Sequence, residues 1–341
     1  MNRNIGRLVP ILVLGAALAG ALLFNFQLVA KSRSALTATV LRNPSSIHTA
    51  RYHLAAIIPD APDPFFISLE QGLRQQAEAR DAALQLVRYR RYGADAGEGG
   101  NLSSEAEHWL GIVLKGKPDG ILLYLPQGIS INGGLGEAEQ RGIPVVLISP
   151  DAAPQGAASA VIGDSFGQGR EAASIVLGLL GSAARIGVIL PSSPFSALQP
   201  DEEPFYRGVL EAVTAKPGSF VAAAVREEES ILGGEQACTD ILDAHPDINA
   251  LLCADSRGTI GAAQVIVDRG EVGKVVIIGA DANAEVIRLV EKGVVHATIV
   301  RDAMAMGEKA VEAVLELRRG LSRQGVIKVG HRIQPSRESS R

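Results

Sequence analysis

What most limits the fold of this chain is an alternation. From Tyr52 to Val329, short apolar runs unbroken by charge trade places with stretches whose apolar residues recur three and four positions apart. Uninterrupted runs suit parallel strands covered on both faces, and the wider spacing suits amphipathic helices. The pattern is also duplicated. Lys117-Pro118-Asp119 precedes the run Gly120–Leu125, and His245-Pro246-Asp247 precedes Ile248–Cys253, an offset of 128. Gly142–Ser149 has its echo in Gly273–Gly279, and Phe65-Phe66 recurs as Phe205-Tyr206 after 140 residues. Two like α/β lobes that point their strand ends at each other enclose a cleft, and ligands of open α/β sheets bind beyond those ends.

The stretch Val275–Gly307 carries the first candidates for a site. It reads as a strand (Val275–Gly279), a helix over roughly Ala282–Lys292, a second strand (Val295–Val300) and a helix that Asp302 caps. Asp281 and Arg301 fall at the carboxyl ends of the two strands, and Asp255 at the end of an earlier one. A carboxylate accepts hydrogen bonds from two adjacent hydroxyls, and a guanidinium meets carboxylates or hydroxyls with a planar fork. Each has a plainer reading as well. Asp281 and Asp63 can cap the helices that follow them, Asp255 can be an ordinary strand-end carboxylate, and Arg301 can be a surface arginine. Of Phe65 and Phe66, one belongs in a core and the other beside the cleft, where an aromatic face stacks on a sugar or base.

Composition narrows the classes. With 47% hydrophobic residues, 21% charged residues and a net charge of −4 over 341 residues, the chain builds real cores and offers no basic stripe for nucleic acid. Cys238 and Cys253 read as small core residues rather than a disulfide, because a helix and its own sheet lie about 10 Å apart. The six histidines show no metal-ligand spacing and the glycine clusters are not complete dinucleotide fingerprints, so no metal or cofactor is expected. Gly163-Asp164-Ser165-Phe166-Gly167 fits G-x-S-x-G, with Asp281 and His296, or Asp302 and His331, following in hydrolase order. A serine hydrolase using Ser165 is therefore an alternative. Against it stand the duplication and the lack of an upstream His-Gly oxyanion motif.

Near the start, Arg3 and Arg7 precede seventeen residues without charge, Leu8–Phe24, extendable through Ala30. That length exceeds a secretory apolar region and reaches the lower bound for a spanning helix, so residues 1–30 are expected to be an uncleaved signal-anchor, with a cleaved signal peptide as second reading. No cysteine follows, so a lipoprotein anchor is not expected. Residues 31–50 read as a linker.

Six segments come in one order and spacing: PDPFFISLEQGLRQQAEA, KPDGILLYLP, GIPVVLIS, HPDINALLCADS, VVIIGADAN and HATIVRDAMAMG. Together they resemble the type 1 periplasmic binding proteins, in the ribose/galactose-binding branch related to the sensor domain of lac-repressor-type regulators. The resemblance implies two similar doubly wound parallel-sheet lobes joined by a three-strand hinge, after one N-terminal membrane helix. It puts the crossings near Gly163–Asp164, Arg301–Asp302 and Gln324–Val326. The first lobe is then 52–163 plus 302–325, and the second 164–301 plus 326–335. It implies an extracytoplasmic binding protein, not an enzyme, that closes on a small polar ligand, by family a sugar, for an ABC permease or a membrane sensor kinase.

By resemblance Asp63, Asp255, Asp281 and Arg301 stand at polar ligand positions, and Phe65 and Phe66 at the stacking aromatics. The family's Asp-Arg after the fourth strand is here Ser149-Pro150, its second-lobe arginine is Phe205, and a polar residue near the third strand's end is Leu125. These departures imply a pocket less polar than a ribose site.

Overall fold

The computed structural model describes residues 50–60, 64–90, 102–125, 131, 133–150, 158–192, 200–228, 230–321 and 325–336. The strands are β1 (Tyr52–Asp60), β2 (Ala82–Arg90), β3 (Gly120–Tyr124), β4 (Val145–Ser149), β5 (Ala160–Ile162), β6 (Arg185–Leu190), β7 (Phe220–Arg226), β8 (Ala250–Cys253), β9 (Val276–Ala280), β10 (Ala297–Arg301), β11 (Val326–Lys328) and β12 (His331–Pro335). The helices are α1 (Pro64–Ala79), α2 (Leu102–Lys115), α3 (Gly133–Gln140), α4 (Ser165–Leu180), α5 (Pro204–Thr214), α6 (Ile231–Ala244), α7 (Ser256–Asp268), α8 (Ala284–Glu291) and α9 (Ala303–Arg319).

They form two sheets of one plan, ordered β11-β5-β4-β3-β1-β2 and β12-β10-β9-β8-β6-β7. Every pair is parallel except β10 with β12. Both faces of each sheet are covered, which is why the strands carry no polar alternation. In β1, Leu54, Ala56 and Ile58 meet α1 and α9, while Ala55 and Ile57 meet α2 and α3. The second sheet repeats this, with α4 and α5 on one face and α6, α7 and α8 on the other. Cys238 and Cys253 are buried free thiols in that second core, and burial pushes the Cys238 thiol up to about 12.

The crossings are built alike. β5 leads into α4, and β10 into α9, and each helix is capped at the crossing by an aspartate: Asp164 Oδ1 accepts from Gly167 N, and Asp302 Oδ1 from Ala305 N, both at 3.0 Å. α4 belongs to the second sheet and packs on α5, while α9 returns to the first and packs on α1. Glycine makes both approaches possible, since a Cβ at Gly72 would lie 2.1 Å from Met304 O and one at Gly169 1.9 Å from Phe205 O.

One expectation needs correction. Val326–Lys328 pairs with β5 in the first sheet, so the last passage falls at Val329–Gly330 and not at Gln324–Val326. A three-residue strand satisfies either sheet by composition, and only the pairing decides. Glu107 of α2 accepts a hydrogen bond from Gly133 N at the start of α3, at 3.0 Å. The expected membrane segment lies outside the described residues. Among those described, no helix is long and apolar enough to cross a membrane.

Candidate ligand site

Asp281 follows directly on β9 and is gripped by β10. Its N–H donates to Ile299 O at 2.9 Å, and its carbonyl accepts from Thr298 Oγ1 at 2.7 Å. These bonds hold Asp281 at φ 65°, in the left-handed region that aspartate tolerates better than most residues. Its side chain does not cap α8; Asn283 does, accepting from Val286 N at 2.8 Å. The carboxylate instead meets Arg301 in a two-pronged pair, with Nε to Oδ1 and Nη2 to Oδ2 each at 2.9 Å. Both side chains are 22% exposed.

The Arg301 guanidinium also crosses to the other lobe. Its Cζ lies 4.9 Å from the ring centre of Phe65 at the start of α1, within cation–π range. Phe65 stands edge-on to Phe66 (5.3 Å, 90°), and both meet Tyr124 at the end of β3, at 6.1 and 4.9 Å. The backbone of Tyr124 is fixed in turn, its carbonyl accepting from Tyr89 Oη at 2.9 Å. An ion pair from the second sheet thus lies on an aromatic group of the first.

Asp255, after β8, has a partner on each carboxylate oxygen. Oδ1 accepts from Gly258 N at 2.8 Å, capping α7, and Oδ2 lies 3.0 Å from both Nε and Nη2 of Arg257. Thr259 then links this corner to the next strand end: its Oγ1 donates to Asp255 O at 2.6 Å and accepts from Ala280 N at 3.0 Å, one residue before Asp281.

The structure therefore brings Asp281, Arg301 and Phe65 together, with Asp255 at the end of the strand beside β9. Phe65 and Phe66 both pack in the first core, so the expected split between core and cleft is not seen, and Phe65 is the one that meets Arg301. Ser149 ends β4 fully buried, its Oγ without a hydrogen-bond partner among the described residues. Phe205 does not stand in for a cleft arginine. It is buried at 6% exposure in the second core, because α5 turns its apolar stripe onto α4 and the sheet. Asp63 lies outside the described residues.

Sequence reasoning missed Tyr124, Arg257 and Thr259. Tyr124 had a usable signal, as an aromatic closing a buried strand; the other two sit in a helical first turn, where Arg and Thr are unremarkable.

The hydrolase reading fails on geometry. Ser165 opens α4 at the passage between two sheets, not at a turn within one sheet. Of the carboxylates it would need, Asp281 is spanned by Arg301 and Asp302 caps α9.

Comparison with known proteins agrees with this arrangement. The family model described as "Periplasmic binding protein domain" matches residues 54–322. The ribose import binding protein RbsB of Bacillus subtilis is 23% identical over 268 residues, 78% of this chain and 81% of its own length. The crystal structure of GanP, a glucose-galactose binding protein from Geobacillus stearothermophilus, matches with a TM-score of 0.67 at 25% identity, covering 83% of this chain and 97% of that one. An ABC transporter periplasmic solute binding protein from Actinobacillus succinogenes, solved with bound D-allose, matches with a TM-score of 0.72 at 20% identity, over 85% and 99% of the two chains.

Proposed function

Because the chain belongs to the periplasmic binding protein domain family, we propose that it is an extracytoplasmic solute-binding protein whose two lobes close on a sugar or related polyol for an ABC transporter. It is a binding protein and not an enzyme. The observation that carries the reading is the Asp281–Arg301 pair lying on Phe65 between the lobes. Carboxylate oxygens and guanidinium N–H groups suit the two-way hydrogen bonding of hydroxyls, and an aromatic face suits the C–H side of a sugar ring. The relatives' names point the same way, toward ribose, glucose, galactose and D-allose.

In this reading Asp281, Arg301, Asp255 and Phe65 contact the ligand, with Asp63 beside them by resemblance and the buried Ser149 behind the wall. Phe66 and Phe205 support the walls from the cores. Contacts from both lobes favour the closed state, which the partner reads. Residues 1–30 hold the protein at the membrane. An anchor of this kind, with its uncharged stretch Leu8–Phe24, also favours a second reading, a ligand-sensing partner of a membrane histidine kinase, since an anchored receptor suits a fixed partner.

Thermal unfolding with D-ribose, D-allose, D-glucose or D-galactose tests the proposal. A sugar at a hundred times its Kd adds about 2.7 kcal/mol, a rise in Tm of roughly 5–10 °C for a domain of this size. No rise with any sugar or polyol contradicts it.

A further inference from the structure

A buried carboxylate stands behind the ligand wall. Glu227 follows β7, its N–H donating to Leu190 O at 2.9 Å, and its side chain is 0% exposed. Glu228, the next residue in the chain, is exposed, so the strand end had an acidic neighbour already in solvent. Burying a carboxylate is costly unless charge and dipoles compensate it. Here they do. Oε1 lies 3.5 Å from Arg257 Nε. The carboxylate is wedged between the first turns of α6 and α7, where helix dipoles favour negative charge. A Cβ at Gly258 would come within 2.8 Å of Oε2, and one at Gly234 within 3.1 Å, so glycine at both positions leaves the acid its room.

Arg257 is thus shared. Its Nε donates to Asp255 Oδ2 at 3.0 Å while lying 3.5 Å from Glu227 Oε1, and Nη2 reaches Asp255 Oδ2 at 3.0 Å as well. The Arg257 side chain is 33% exposed and that of Asp255 14%, against 0% for Glu227, so the buried acid stands behind a pair that reaches solvent. We propose that Glu227 is the positioning residue of this wall: it anchors the Arg257 guanidinium and, through it, sets the orientation and remaining acceptor strength of Asp255. The proposal rests on the cleft reading above for its role in binding. With Glu227 neutral, Arg257 settles on Asp255 alone and weakens that carboxylate as an acceptor for a ligand hydroxyl.

Two measurements on the full-length protein test it. The first is a double-mutant cycle in urea. Arg257→Met leaves Glu227 buried without this counter-charge and raises the unfolding equilibrium constant by about 100-fold. In the Glu227→Gln background the same change costs about tenfold or less. An equal cost in both backgrounds overturns the anchoring, whatever the ligand proves to be. The second is calorimetric titration with whichever of D-ribose, D-allose, D-glucose and D-galactose binds most tightly, and with its monodeoxy analogues. Glu227→Gln weakens the parent sugar by about tenfold and erases the preference over one deoxy analogue, while Glu227→Asp recovers part of both. Unchanged affinity and preference overturn the positioning role. If none of the four sugars binds, the sugar reading falls, and the urea cycle alone decides on Glu227.

Discussion

Replacing Arg301 with methionine isolates the contact on which the candidate site turns. Methionine keeps most of the apolar stem and removes the fork, leaving Asp281 without this partner and Phe65 without the cation above it. The two charges in contact attract by about 4 kcal/mol at an effective dielectric of 20. Exposed pairs return only about 0–1 kcal/mol, whereas breaking a buried one costs about 3–5. Side chains at 22% exposure and two bonds of 2.9 Å place this pair between those limits, at about 2 kcal/mol. Loss of the guanidinium 4.9 Å from the Phe65 centre adds about 0.5–1 kcal/mol. Arg301→Met is therefore expected to cost about 2.5–3 kcal/mol in urea unfolding at pH 7.5. In an Asp281→Asn background it is expected to cost only about 1 kcal/mol, a coupling of about 1.5–2. A coupling below about 0.5 kcal/mol would refute the claim that the pair is a structural unit and not a solvated surface contact.

Further expectations follow from other parts of the molecule. Asp281 sits at φ 65°, so Asp281→Ala should be less stable than Asp281→Asn by about 1 kcal/mol, since asparagine tolerates the left-handed region; equal stabilities would show that the backbone there relaxes. Gly72→Ala should destabilise by about 3 kcal/mol or more, because a Cβ would lie 2.1 Å from a backbone oxygen of α9; a loss below about 1 kcal/mol would mean the two helices separate freely. Burial holds the His296 imidazole below its ordinary pKa. The unfolded chain then binds more protons over a window below about pH 6.5, so stability falls as pH drops through it. His296→Gln should flatten that slope, and an unchanged slope would assign the acid sensitivity to other groups.

The architecture was readable because its cause is local. Strands buried on both faces must be apolar throughout, and the duplication shows in the Lys117-Pro118-Asp119 and His245-Pro246-Asp247 echoes. Asp281 and Arg301 could be placed at strand ends because a strand's carboxyl end is a position that sequence reveals. What sequence could not reveal was pairing. Nothing in the residues says that Arg301 spans Asp281 and also reaches Phe65, since both contacts depend on how β9, β10 and α1 meet. Glu227 was hidden for a related reason. An acid run after a strand reads as solvent loop, and its burial is decided by two glycines on separate helices. Phe205 misled because its place in the family pattern suggested the cleft, while the stripe of α5 turns it inward. The strand Val326–Lys328 was assigned to the wrong sheet because its short apolar pattern fits either.

The central claim is that a polyhydroxylated ligand is held between the two lobes at the Asp281–Arg301 corner. Calorimetric titration of the wild type and of Asp281→Asn with the sugar that most raises Tm tests it directly. One ligand per chain should bind the wild type, and Asp281→Asn should weaken it about 100-fold or more, the worth of charge-assisted hydrogen bonds lost at a shielded site. Equal affinity in the two proteins would contradict the account.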